Sequence, residues 1–335
     1  MLMSAVLDPL AFEKENFENP IYYLQAKEFL RRLQENGILI LDPDGKLKNK
    51  LLDIVERLPT KFGQEIGILT VEIFKTKKRT VSCLHSPTFI NSNLSFPELA
   101  LMVRTQCGAD AVITNEKGKV ELINKGTYAP NIVTLDLYLE SEFEKKRKKF
   151  FVDMPNMDNL ETGEFDDVII RIVKFSKWLR FYDQYIGKGA NTMHFRKGIE
   201  YILELWKRHG HFASQKGLIV DIIAGDVIST HRPLTVIETA YEKVNFELLE
   251  LLKNKFPNYK INLSLKDDTT TRIMHARYLQ TQVVNVYIDP GFDIFRPDGT
   301  LKRLFLKTDN GSSAHLDECR KLPEFDFNAQ AKTKS

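Results

Sequence analysis

The sequence predicts an α/β protein made of two α/β domains. The first is built on a parallel sheet with helices on both faces, the second on a mixed sheet. Three observations predict this. The chain has 335 residues, more than one hydrophobic core usually organises. Short apolar runs alternate with longer stretches whose apolar residues recur at helical spacing, and buried strands interleaved with helices imply a parallel sheet covered on both sides. A polar stretch over residues 152–167, carrying Pro155, Gly163 and several acids, interrupts the pattern midway. The expected domains are residues 1–150 and 168–327, joined by a linker over 151–167 and followed by a disordered tail over 328–335.

Element by element, Ser4-Ala-Val-Leu-Asp8 is a short apolar strand that ends in an acid. Residues 21–36 have helical spacing, and Gly37 stops the helix. Ile38-Leu-Ile-Leu41 is a buried strand and Asp42-Pro-Asp-Gly45 a turn. Residues 47–58 predict a second helix and 96–106 a third, ended by Gly108. Ala111-Val-Ile-Thr114 is a strand, and Ile132-Val-Thr-Leu135 a last strand before a charged helix over 137–150. The second half opens on Val168-Ile-Ile-Arg-Ile-Val and Trp178-Leu-Arg-Phe-Tyr-Asp183. A long helix over 191–209, the strand Leu218-Ile-Val-Asp-Ile-Ile and a second long helix over 234–255 follow. Lys260-Ile-Asn-Leu-Ser-Leu leads to the strand of His275, and residues 283–288 pair back on it, which makes the sheet mixed.

Composition narrows the class. Hydrophobic residues at 43% and charged residues at 28% are those of a globular chain in water. No apolar run is long enough to span a bilayer, and no basic segment leads into an apolar core at the N-terminus, so the expectation is a cytoplasmic protein without a membrane span. Cys83, Cys107 and Cys319 lie far apart without a C-x-x-C, which fits neither a disulfide framework nor a thiolate zinc site; Cys107 reads as a buried thiol. The net charge of +3 gives no global field for nucleic acid. Two local basic groups stand out, one with Lys77, Lys78 and Arg79, the other Lys145-Lys-Arg-Lys-Lys. Each can contact phosphates or serve as a solvated face.

Acids gather where strands of the first half end: Asp8, Asp42 with Asp44, and Asn115 with Glu116, while Glu98 starts the helix before the last of these strands. At the rim of a parallel sheet such groups can hold Mg2+ or Mn2+ and activate water against a phosphodiester. The competing role for the same acids is structural, as helix caps, first-turn residues and turn formers. The stretch Phe96-Pro-Glu-Leu-Ala-Leu-Met-Val-Arg-Thr-Gln-Cys-Gly-Ala-Asp-Ala-Val-Ile-Thr-Asn-Glu, with Ala5-Val-Leu-Asp8 and Ile38-Leu-Ile-Leu-Asp-Pro-Asp-Gly-Lys, resembles PIN-like nuclease domains over residues 1 to about 140. The resemblance implies metal ligation by Asp8, Glu98 and Glu116 or Asn115, and nuclease activity on RNA or DNA. The chain departs from the pattern at Glu98, where the family usually has Asp, at Pro9, and near Lys50, where the family's second acid falls; Asp53 or Glu56 could substitute.

In the second half, Arg272-Ile-Met-His-Ala-Arg-Tyr-Leu-Gln places His275 and Arg277 on one face of a strand. One could attack or protonate a phosphate while the other holds its oxygens. Phe181-Tyr-Asp-Gln-Tyr-Ile186, His275-Ala-Arg-Tyr278 and Asp289-Pro-Gly-Phe-Asp-Ile-Phe295 resemble the phospholipase D-like domain found C-terminal to MIT domains. Active enzymes of that kind need two H-x-K motifs. This chain offers one H-x-R, so the resemblance implies either a homodimer pairing two His275 or a phosphate-binding module. Three functions follow as expectations. The first is a metal-dependent nuclease whose second half binds nucleic acid or dimerises, in a prokaryotic antiviral defence or mobile-element system with further protein partners. The second is a metal-independent phosphodiesterase using His275 and Arg277. The third is a non-enzymatic phosphate-binding adaptor.

Overall fold

The computed structural model describes residues 3–76, 79–84, 94–124, 132–151, 162–186, 192–225, 244–268, 273–274, 277–308 and 312–324. The chain divides into two compact units, Met1–Asp153 and Met154–Ser335. Among the described residues no helix is long and apolar enough to cross a membrane.

The first unit is a five-stranded, wholly parallel sheet. Its strands are β1 (Met3–Leu7), β2 (Gly37–Leu41), β3 (Thr80–Ser82), β4 (Ala111–Thr114) and β5 (Ile132–Thr134), in the order β3-β2-β1-β4-β5. Every residue of β1, β2, β4 and β5 is buried, the pattern of strands covered on both faces. Side chains alternate, so Met3, Ala5, Leu7, Leu39, Leu41, Ala111 and Ile113 join one core with α1 (Pro20–Asn36) and α3 (Thr60–Lys75). Val6, Ile38, Ile40 and Val112 are buried on the opposite face, where α4 (Phe96–Cys107) packs on β1, β2 and β4. The remaining helices are α2 (Lys46–Glu56), α5 (Glu116–Asn124) and α6 (Glu142–Phe151).

Local chemistry sets these boundaries. Asn19 caps α1 by accepting from the Ile21 N–H, and Gly108, at φ 60°, ends α4 in the left-handed region. Asp42 accepts from the Lys46 and Leu47 N–H groups, both at 2.8 Å, and so starts α2. The charged helix expected over 137–150 is in fact a 3-10 segment, Leu135–Glu140, followed by α6. Ser141 divides them, since its hydroxyl donates to the Tyr138 carbonyl at 2.6 Å and accepts from the Glu144 N–H at 3.1 Å. The cysteines also differ from expectation. Cys83, just after β3, and Cys107, the last residue of α4, form a disulfide with Cα atoms 6.2 Å apart. Their 24-residue separation hid the pairing, which the fold creates by bringing two elements together. Cys319 is a buried thiol, pushed up to about 11 by burial.

The second unit holds a six-stranded mixed sheet in the order β11-β10-β9-β6-β7-β8. The strands β6 (Trp178–Asp183), β7 (Leu218–Gly225) and β8 (Tyr259–Lys266) run parallel. The strands β9 (Arg277–Thr281), β10 (Asn285–Asp289) and β11 (Phe305–Thr308) add on antiparallel. The run Val168–Val173 belongs to α7 (Thr162–Val173), which pairs with α8 (Thr192–His209). Of the helix expected over 234–255, residues 244–255 are described; they contain a π-helical turn, Asn245–Glu250, and α9 (Leu251–Lys255). A last helix, α10 (Ser313–Lys321), covers Tyr182 and Ile223 through Leu316 and Cys319.

Candidate functional site

In the first unit β1 leads outward to β2 and β3, while β4 leads to β5 on the other side. The carboxyl ends of β1 and β4 therefore flank the switch point at which open parallel sheets leave a crevice. Asp8 follows β1 directly and is fully buried there. One carboxylate oxygen accepts the Leu10 N–H at 3.0 Å, capping a 3-10 turn over Pro9–Phe12. The other accepts the Thr114 hydroxyl at 2.6 Å, which ties the ends of β1 and β4 together. Burial pushes the Asp8 carboxyl up to about 6, against the pull of both hydrogen bonds. The charged neighbours that act on it, Glu121 and Glu13, are both acids and push the same way.

Gly118 makes this arrangement possible. A Cβ there would sit 2.1 Å from the Thr114 hydroxyl oxygen, 3.0 Å from an Asp8 carboxylate oxygen and 3.3 Å from Pro97. Its absence lets α5 lie against β1, β4 and the first turn of α4, and brings Glu121 into the crevice. Glu121 accepts a hydrogen bond from the Ser95 hydroxyl. Ser95 also forms a capping box with Glu98, its N–H donating to the Glu98 carboxylate at 2.8 Å. Two hydrogen-bonded groups thus lie on either side of Gly118, Thr114 with Asp8 and Ser95 with Glu121 and Glu98, and the Glu121 charge acts on Asp8.

The other residues expected as ligands lie differently. Asn115 donates to the Leu10 carbonyl at 3.0 Å and accepts the Gly118 N–H at 2.8 Å, so its amide is engaged with the backbone at the start of α5. Glu116 is turned to solvent, with 62% of its side chain exposed, and lies 3.6 Å from Lys119. Asp53 pairs with Arg57, and Glu56 is exposed on α2. Glu121 was not expected; Gly118 inside an otherwise helical stretch is the signal that could have pointed to it. Among the described residues no three carboxylates bring oxygens within 4.8 Å of one another. The hard oxygens of Asp8, Glu98 and Glu121 suit Mg2+ or Mn2+, and Mg2+ characteristically keeps waters and one or two carboxylates. Both Asp8 oxygens already accept hydrogen bonds and the side chain is fully buried, so the carboxylate chemistry suits such an ion while the arrangement forms no closed cage.

In the second unit Asp183 ends β6, and Arg277, which opens β9, is its direct antiparallel partner. Asp183 is fully buried and accepts the Tyr185 N–H at 2.9 Å and the Phe292 N–H at 3.3 Å. Burial pushes it up to about 6; the two backbone hydrogen bonds and the Arg277 charge pull it down, while Asp293 pushes it up. Arg277 pairs with Asp289, and its guanidinium lies 4.9 Å from the centre of the Tyr185 ring. Gly291, at φ +93°, packs on both residues: a Cβ there would lie 2.1 Å from an Asp183 oxygen and 3.3 Å from Arg277. His194 on α8 lies 3.6 Å from Asp293, which also pairs with Lys302 at 2.5 Å.

His275, Lys77 and Lys78 lie outside the described residues. Arg79 is buried, and its guanidinium donates to the Glu35 carbonyl at 2.6 Å, closing the last turn of α1. In the second basic group Arg147 is held by buried Glu144 through two hydrogen bonds, at 2.7 and 3.0 Å. Comparison with family models, with curated proteins and with solved structures finds no match for this chain.

Proposed function

We propose that the chain is a metal-dependent nuclease that hydrolyses phosphodiester bonds of RNA or DNA at the Asp8 crevice. The observation that carries this reading is Asp8 itself: a buried aspartate at the switch point of a parallel sheet, with acids as its charged neighbours. A cation beside it would offset the burial and the acidic neighbours that hold its carboxyl up. Asp8 would anchor the ion, with Glu121 or Glu98 as the second carboxylate. Thr114 orients the Asp8 carboxylate, Gly118 admits α5, and Ser95 holds both glutamates. Bound Mg2+ or Mn2+ supplies polarisation of the phosphodiester and a water of lowered pKa. The resemblance to PIN-like domains supports the same chemistry, with Asn115 and Glu116 in structural and rim positions.

The second unit, with its resemblance to phospholipase D-like domains, serves in this reading as a nucleic-acid-binding or dimerising module, in a cytoplasmic prokaryotic defence system with other protein components. A second reading has one observation in its favour. Asp183 and Arg277 are cross-strand partners, and Arg277 follows His275 by two residues in sequence; a homodimer pairing two His275 side chains would make a metal-independent phosphodiesterase. Labelled RNA and DNA oligonucleotides, single- and double-stranded, separate the readings. Cleavage that needs Mg2+ or Mn2+ and is lost in Asp8→Ala supports the nuclease. Cleavage in EDTA that is lost in His275→Ala supports the phosphodiesterase. No cleavage by the folded chain with any metal and strand type leaves a phosphate-binding adaptor.

A further inference from the structure

Beside the crevice, at the carboxyl end of β2, lies a cavity of about 410 Å³ between α2 and the start of α4. Its wall towards α4 is Leu94, Phe96 and Leu99; its wall towards α2 carries Lys46, Asn49 and Lys50. The two sites share the first turn of α4, since Pro97 in that turn packs towards Gly118 while Phe96 and Leu99 line the cavity. Asp42 also lines it, but both its carboxylate oxygens are engaged by the N–H groups of Lys46 and Leu47. Among the described residues neither the Lys46 ammonium nor the Asn49 side-chain amide has a hydrogen-bonded or ion-paired partner. Lys50 lies 5.9 Å from the centre of the Phe96 ring and 3.8 Å from Asp53. Asp44, the remaining acid of the lining, is exposed, so among the described residues Lys46 is the lining's unpaired ammonium while Lys50 is shared with Asp53.

We infer that this cavity is a one-nucleotide subsite, in which a nucleobase lies on Phe96 and a phosphate is held by Lys46 and Lys50. The chemistry of the lining selects that class of ligand. An aromatic face backed by two leucines offers a stacking surface for any base. Two ammonium groups supply compact charges for a phosphate, and an amide offers both a donor and an acceptor to a base edge. The volume falls in the range of small-molecule sites, about 300–1,000 Å³, which accommodates one nucleotide and excludes a duplex. The same features disfavour a wholly apolar ligand, which would leave the Lys46 ammonium and the Asn49 amide unanswered. The choice of a strand over a free nucleotide rests on the nuclease reading; the pocket chemistry does not.

The test measures binding of the full-length chain in EDTA at low salt, where cleavage is absent. The probe is a fluorescent, 5′-phosphorylated eight-nucleotide single strand, with a nucleoside 5′-monophosphate, the bare nucleoside and inorganic phosphate as competitors. We expect Lys46→Ala/Lys50→Ala to weaken binding at least about tenfold and Phe96→Leu at least about fivefold. Lys61→Ala, exposed at the start of α3, should change it less than about twofold. All four side chains lie at least partly in solvent, and circular dichroism melts confirm that the variants fold. The monophosphate should compete better than either the nucleoside or phosphate. A strand that binds at least tenfold tighter than the monophosphate marks a strand subsite, and equal affinities mark a free-nucleotide site. Binding unchanged in both pocket variants, or equal competition by all three small molecules, overturns the inference. The two readings fail separately: pocket-dependent binding without cleavage in any metal removes the nuclease and leaves the subsite. Cleavage that needs Asp8 while the pocket variants bind normally removes the subsite and leaves the nuclease.

Discussion

Each unit buries an aspartate at the carboxyl end of an interior strand, Asp8 after β1 and Asp183 on β6, and burial lifts both carboxyls to about 6. Both accept two hydrogen bonds, and both are packed by a glycine whose Cβ would collide with the site, Gly118 in one unit and Gly291 in the other. They differ in company. The charged groups acting on Asp8 are acids, whereas Asp183 faces Arg277, which pulls its carboxyl down. The second site contains its own cation, itself paired with Asp289; among the described residues, the charged groups acting most on Asp8 include none. The same residue in the same kind of position therefore has acids for company in one unit and a cross-strand arginine in the other. This is why we place the metal chemistry at Asp8 and a phosphate-facing or structural role at Arg277.

The comparison can be broken most sharply by activity. Asp8→Asn should lower metal-dependent cleavage of a labelled oligonucleotide by about a hundredfold or more, since a metal's share of transition-state stabilisation is several kcal/mol. Asp183→Asn should leave it within about threefold. Equal losses would erase the distinction between the sites.

Stability against pH gives the next largest effect. An aspartate raised from 3.8 to about 6 binds more protons folded than unfolded between those values, so stability falls as pH rises through that window. Each group costs at most about 3 kcal/mol above pH 6. Urea unfolding at pH 4.5 and 7.5 should show the loss, and Asp8→Asn should remove the part belonging to the first unit. Arg277→Met should deepen the part belonging to the second. A smaller cost, about 2 kcal/mol, is expected for Gly118→Ala and somewhat more for Gly291→Ala, which adds a left-handed backbone to the collision. Glu116→Gln should change neither stability nor cleavage beyond about 0.5 kcal/mol, as for other exposed side chains.

The sheets were largely legible in the sequence because fully buried strands must be continuous apolar runs, as at Ile38–Leu41 and Ala111–Thr114. The acids at their ends were legible for the same reason, since a polar residue closing such a run stands out. What was hidden depends on partners distant in sequence. Helix α3 escaped because Gly63 and Gly67 weaken its local signal, and β3 because three residues carry no pattern. Helix α5 escaped because Gly118 reads as a breaker, although its role is close approach to Asp8. Glu121 was lost with it. Glu116 follows a strand end, but the next helix turns its side chain to solvent, and the Asn115 amide meets the Leu10 carbonyl and the Gly118 N–H, contacts that depend on the fold.

The central claim, that the Asp8 crevice takes a divalent cation and the Asp183 site does not, is tested by metal-dependent thermal stabilisation of the full-length chain at pH 7.5. A ligand at about a hundred times its dissociation constant stabilises by about 2.7 kcal/mol, several degrees for a unit of this size. The account predicts that Mg2+ or Mn2+ raises the melting temperature of the wild type and of Asp183→Asn, and leaves that of Asp8→Asn unmoved. A shift that persists in Asp8→Asn, or no shift in the wild type at millimolar metal, would contradict it.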